Sequence, residues 1–317
     1  GNDFVLMDLR KTPIPEQEIR KLAVDMCSRH TGVGADGWIG IVQKRGKENR
    51  KNLSEHTHEE QSVSFEMMFK NPDGSDAGMC GNGARCFAVL VSVVSGQKKF
   101  PFMMGGNRYY ATILEDSQSL RTKEHVPSLA EIEFPGMMRV DHQFVEGTDL
   151  AVVYSGTEHV VLRVDPPQLE DTAYVRKHGA YWRTHRAFAP VGTNVNFLSS
   201  TENTPYACRL RTFERGVENL TLSCGTGAIA AALAWHAGES LPEQPHTSEI
   251  LPFDSSYRDA SLGNVRKTHS ESEFRIQVEQ AGGTVEVSFL FDKDTKTYRR
   301  IRLKGSVAFV FMAQNLF

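Results

Sequence analysis

The chain has 317 residues, with 36 Lys and Arg against 39 Asp and Glu, a net charge of −3 and five cysteines. With 40% apolar and 24% charged residues it has ordinary globular composition, enough for one large domain or two of medium size, which excludes wholesale disorder. A pI near 6.4 supplies no field to gather nucleic acid or an anionic membrane, and no apolar stretch reaches the roughly 20 residues of a membrane span.

Taken in order, residues 16–29 read as an amphipathic helix, because Ile19, Leu22, Ala23, Met26 and Cys27 recur at helical spacing after Pro13 and Pro15. Strand patterns follow at residues 38–42, 63–69, 150–154, 159–164, 207–213, 274–278, 284–289 and 307–311. Residues 84–95 and 228–237 are apolar nearly all round and are followed by Gly96 and Gly238 in helix-stop position. Helices of that kind must be buried on every face, so two central helices, each wrapped by sheet, are expected. Residues 43–61 and 254–272 are polar and read as long surface loops. The basic residues of the first loop are followed by Glu55, Glu59 and Glu60 without interleaved aromatics, the pattern of a solvated loop and not of a nucleic-acid surface. A domain boundary is placed near residues 121–127.

Cys27, Cys80, Cys86, Cys208 and Cys224 are sparse, include no Cys-x-x-Cys pair and lack zinc-ligand spacing. A reducing compartment and no bound metal are expected. Two of the five share a setting: Cys80-Gly81-Asn82-Gly83 and Cys224-Gly225-Thr226-Gly227. At this composition one Cys-Gly-x-Gly is expected only about 0.03 times by chance. Each opens one of the two apolar helices, so the pair is an internal repeat. N–H groups at a helix start lack intrahelical partners, carry the positive end of the dipole, and hold a carboxylate well. The dipole also stabilises a thiolate, by about 0.3–1 kcal/mol and at most about 2, which moves a thiol down by less than about 1.5 units. If the two helix starts face one another, a thiolate and a thiol stand on opposite sides of one carbon. One removes a proton and the other delivers one, and the stereocentre inverts. The two thiols then titrate as a coupled pair.

The motifs Asn2-Asp3-Phe4-Val5, Gly32-Val33-Gly34-Ala35-Asp36-Gly37, Asn71-Pro72-Asp73-Gly74-Ser75, Met79 through Cys86, Gly192-Thr193-Asn194-Val195-Asn196-Phe197 and Phe213-Glu214-Arg215-Gly216 through Gly227 stand in one order along the chain. Together they strongly resemble the diaminopimelate epimerase family. The resemblance implies an α/β (α+β) fold of two similar domains, each a barrel-like mixed sheet around a central apolar helix, with the active site in the cleft between them. The domains are expected at residues 1–125, with a C-terminal strand at 306–317 returning to them, and at 126–305. The implied activity is cofactor-independent interconversion of LL- and meso-diaminopimelate in lysine and peptidoglycan precursor synthesis, in the cytoplasm. The implied partner is a small-molecule substrate, with a homodimer as the assembly to test and neither nucleic acid nor membrane involved.

By position, the resemblance makes Cys80 and Cys224 the two acid/base thiols. Gly81, Asn82, Gly83, Gly225 and Thr226 would supply N–H groups to the α-carboxylate, and Glu214 would meet the α-ammonium. His159 would assist near the reacting carbon. Asn71, Asn194 and Arg215 would grip the distal amino acid end, with Asn2 nearby. A planar cation such as Arg215 suits that distal carboxylate. Family members commonly read Asn-Pro-His or Ser-Pro-His where this chain has Thr157-Glu158-His159, so Thr157 offers a hydroxyl in place of an amide.

Other readings fit less well. Residues 32–37 match a dinucleotide fingerprint, but they follow a helix and precede a strand, the reverse of what that fold needs. A Cys/His hydrolase built on Cys224 with His159 or His236 leaves Cys80 unexplained. His236 reads as a packed or helix-terminal histidine, Cys27 and Cys208 as core thiols, and Cys86 as buried. The runner-up function is a racemase of another amino acid, proline-racemase-like, on the same scaffold. A third reading, an amino-acid-binding module, would need no thiol on either face.

Overall fold

The computed structural model describes residues 1–44, 64–115, 128–201, 204–239, 241 and 271–310. The boundary placed at residues 121–127 and most of the two long polar segments lie outside them.

The chain writes one topology twice. In the first half, β1 (Val5–Asp8) and β2 (Trp38–Lys44) pair in parallel across α1 (Glu16–Cys27). Strand β2 turns back antiparallel into β3 (Ser64–Lys70), and β3 pairs in parallel with β4 (Lys99–Met104) across α2 (Gly81–Ser95). Strands β5 (Asn107–Glu115) and β6 (Ser128–Glu133) continue antiparallel, and the short β7 (Met137–Met138) follows. The second half adds a hairpin of β8 (Asp141–Val145) and β9 (Thr148–Tyr154), then repeats the plan. Its β10 (Glu158–Arg163) and β11 (Asn194–Ser200) are parallel across α3 (Pro166–Glu170) and α4 (Thr172–Arg183). Strand β12 (Ala207–Glu214) is antiparallel to β11 and to β13 (Asn219–Thr221), and parallel to β14 (Glu271–Gln280) across α5 (Gly225–Gly238). Parallel neighbours require such crossovers, and helices supply them in each case.

Strands β15 (Gly283–Asp292) and β16 (Thr297–Val307) complete the second half. Strand β16 also pairs antiparallel with β6, so one continuous mixed sheet runs through both halves. It curls around α2 in one half and α5 in the other, giving the barrel-like α/β fold.

All of α5 from Gly225 to His236 is buried, as its all-round apolar sequence requires. Helix α2 is buried through Ser92 except for half-buried Cys86, and its last turn leaves Val93 and Val94 exposed. It stops at Gly96, whose φ of 75° is the left-handed conformation that glycine adopts without strain. The largest apolar cluster runs unbroken through both helices. Smaller clusters seat α1 on β1 and β2, and α3 with α4 on β10, β11 and β12.

Three expectations need correction. Of the described part of the segment expected as a strand at residues 307–311, only Val307 is strand, as the last residue of β16, which lies otherwise upstream. Strand β2 runs two residues into the polar segment expected as a loop from residue 43. Cys86, read as buried, is half-buried. No helix among the described residues is long and apolar enough to cross a membrane.

Candidate active site

Each of the two central helices begins at a cysteine. Cys80 and Cys224 are the N-caps of α2 and α5, with φ, ψ of −126°, 109° and −125°, 113°. Each sulfur accepts from the N–H three residues on, Gly83 N at 3.4 Å and Gly227 N at 3.3 Å. The matched backbone is the three-dimensional form of the repeat, with sulfur doing the work a cap oxygen usually does.

The two helix starts abut. A Cβ placed on Gly225 would lie 2.9 Å from the Gly81 Cα, and one on Gly81 would lie 3.2 Å from the Gly225 Cα. Only a residue without a side chain permits that approach. Leu303 of β16, fully buried, packs beneath both glycines. Among the described residues no oxygen accepts from the N–H groups of Gly81, Asn82, Gly225 or Thr226. These donors, gathered at two abutting helix starts, form a ready carboxylate seat, with the Asn82 N–H also reaching the Cys80 sulfur. Gly83, expected among these donors, has its N–H committed to Cys80.

Polar side chains lock the two starts together. The Asn82 amide donates to Asn2 Oδ1 at 2.7 Å and reaches Ser223 Oγ at 3.3 Å, while its oxygen accepts from buried Arg85 at 2.7 Å. Asn2 in turn donates to Asp36.

Glu214 ends β12 beside both sulfurs, and its negative charge raises the pKa of each. Burial is the larger cause and pushes both thiols up; the Gly83 and Gly227 N–H groups pull down less strongly. Each thiol also feels the other half of the site, since a charge on Cys80 raises Cys224. The sequence predicts a modest downward shift from the helix dipole; here the water excluded from the site outweighs it. Burial likewise raises the Glu214 carboxyl.

His159 is fully buried behind Thr226. Burial, with help from the Arg215 charge, lowers its pKa to about 3, so it is neutral at physiological pH. The Asn196 amide donates to its Nδ1 at 3.0 Å, which leaves the proton on Nε2. That nitrogen bonds the hydroxyls of Thr157 at 2.9 Å and Thr226 at 3.0 Å, and Thr226 Oγ1 lies 3.6 Å from the Cys224 sulfur. His159 is thus a neutral member of a hydroxyl relay that ends on Cys224.

Beyond it lies a charged pair. Arg215 Nη1 donates to Glu158 Oε2 at 2.7 Å and to Gly192 O at 3.2 Å. Asn194, expected to touch a ligand, spends its amide on the protein: it donates to Glu158 O and Thr157 Oγ1 and accepts from the Arg215 N–H. Asn71 bonds Ser75 inside its own turn, apart from this network.

Sequence reasoning missed Asn196, Glu158 and Ser223. Asn196 was findable, because strand alternation places it on the face of Asn194. Glu158 was marked only as a departure from the Asn-Pro-His or Ser-Pro-His common in the family, and Ser223 carried no pattern of its own.

A model of the diaminopimelate epimerase family matches residues 1–126 and 151–250. A diaminopimelate epimerase of Flavobacterium psychrophilum is 31% identical over 98% of this chain and 95% of its own. One from Hydrogenobaculum is 35% identical over 74% of this chain and 78% of its own, and one from Aquifex aeolicus is 33% identical over 81% and 87%. A hydroxyproline epimerase structure from Agrobacterium vitis superposes with a TM-score of 0.51 at 12% identity, covering 95% of this chain and 80% of that one, and so shares the fold. A PhzF-family phenazine biosynthesis protein of Enterococcus faecalis gives 0.50 at 13% identity over 96% and 89%. With paired cysteine caps on a duplicated fold and matches along most of its length, this chain belongs to the diaminopimelate epimerase family.

Proposed function

We propose that this chain interconverts LL- and meso-diaminopimelate by proton transfer between two cysteines, in the cytoplasm and without a cofactor. The observation that carries the reading is the pair of cysteine caps on abutting helix starts, with one carboxylate, Glu214, in electrostatic reach of both.

In the mechanism the α-carboxylate lies on the N–H groups of Asn82, Gly225 and Thr226. There the positive helix ends stabilise the charge that moves onto it when the α-proton leaves. The α-ammonium pairs with Glu214. Neutralising Glu214 removes part of what holds the thiols protonated, so substrate binding itself favours formation of one thiolate. That thiolate takes the α-proton and becomes a thiol. The opposite thiol gives its proton to the other face and becomes a thiolate. The electron pair left on carbon by the first step forms the new C–H bond in the second, and the charge balances.

His159 orients Thr226 and donates from Nε2, but its low pKa makes it no proton acceptor near neutrality. The test is turnover of LL-diaminopimelate in heavy water. Inverted product carrying deuterium at the α-carbon is expected; the absence of both inversion and exchange would refute the reading.

A further inference from the structure

The Arg215–Glu158 pair is an unusual feature for a place meant to hold a carboxylate, because one is already there. Only one edge of the pair is used. The Nη1–Oε2 bond leaves Glu158 Oε1 and Arg215 Nη2 with no hydrogen-bond partner among the described residues. Both side chains stay reachable, at 46% exposed for Glu158 and 22% for Arg215. The neutral groups around them are spoken for, since Asn194 and the Thr157 hydroxyl bond each other, the backbone and His159. What the cluster still offers a ligand is one positive and one negative group side by side. Its complement is a zwitterion.

We propose that Glu158 and Arg215 form a zwitterion clamp, with Arg215 taking the distal carboxylate of the substrate and Glu158 the distal ammonium. This rests on the reading of the site as a diaminopimelate epimerase. The two ends of the substrate then meet analogous receptors. At the reacting end the helix N–H groups take the carboxylate and Glu214 the ammonium, and at the distal end Arg215 and Glu158 do the same. A ligand bearing only a carboxylate at its distal end would put it against Glu158, and one bearing only an ammonium would put it against Arg215. Like charges at contact distance disfavour both, so the pair selects by repulsion as well as attraction. A four-charge cluster of alternating sign also spares either protein group from standing unpaired once the ligand shields it from water.

The experiment compares diaminopimelate with 2-aminoheptanedioate, which lacks only the distal ammonium, by turnover and by calorimetric binding. E158Q keeps the side-chain volume and an acceptor for Arg215. It should raise KM for diaminopimelate about tenfold, with the loss carried by KM and not kcat. Binding of 2-aminoheptanedioate should not weaken, and E158D should fall between wild type and E158Q. Equal weakening of both ligands would overturn the clamp, because Glu158 would then only position Arg215. So would unchanged or tighter binding of diaminopimelate. A wild-type protein that shows the Glu158-dependent discrimination but exchanges no α-hydrogen would overturn the epimerase reading alone.

Discussion

Glu214 is set against the two thiols it serves. Its charge raises the pKa of both Cys80 and Cys224, and in the proposed mechanism an incoming ammonium lifts that restraint. The arrangement separates nucleophilicity from catalysis in a way that a substitution exposes. In Glu214→Gln the repulsion is gone, so the thiol pKa values fall and Cys80, half-buried, should be alkylated faster by iodoacetamide at neutral pH than in wild type. Turnover should move the opposite way, with kcat/KM down by roughly a hundredfold or more, because the ammonium loses its charged partner. Mass spectrometry of Cys80 alkylation beside a steady-state assay checks both. Slower alkylation in Glu214→Gln would mean that the carboxylate does not act on the sulfur. His159 stands in a similar relation to its neighbours: burial makes it neutral, and its value lies in the direction of one hydrogen bond.

The helix start is the element that converts a sequence repeat into a site. Gly81 and Gly225 touch because neither has a side chain, and a methyl group on Gly225 would strike the Gly81 backbone and the Leu303 side chain. Gly225→Ala should therefore cost about 1–3 kcal/mol in chemical denaturation and abolish turnover by spreading the two sulfurs. Full activity in a folded Gly225→Ala protein would show that close abutment is dispensable.

Both helices were legible in the sequence because burial on all sides leaves an apolar stretch with no polar face. Their first turns, glycine, asparagine and threonine without periodicity, were placed by the repeated Cys-Gly-x-Gly instead. Strand β16 escaped for the opposite reason. Arg299, Arg300, Arg302 and Lys304 give it the composition of a surface segment. In the sheet those charges meet acids: Arg302 lies opposite Glu133 in register and bonds it at 3.2 Å, and Lys304 bonds Glu286 at 3.2 Å. Charges neutralised across strands cannot be seen one strand at a time. The same holds for Glu158, whose meaning depends on an arginine 57 residues away.

At the scale of the whole molecule, β16 decides how the halves meet. It pairs with β6 of the first half along one edge and with β15 of the second along the other, and its Leu303 fills the space beneath both helix starts. The site is therefore assembled by the fold and belongs to neither half. Each half contributes one cysteine and one helix end, and in the proposed mechanism each thiol serves one face of the substrate carbon. The most direct test of that division is to follow α-hydrogen exchange and inversion for each stereoisomer of diaminopimelate in heavy water, in Cys80→Ala and Cys224→Ala separately. Both variants should fold and lose inversion by about a thousandfold or more. Each should retain exchange, if any, on a single stereoisomer, and the two variants should differ in which one. Inversion at near wild-type rate in either, or exchange of the same stereoisomer by both, would contradict a site with one thiol on each face.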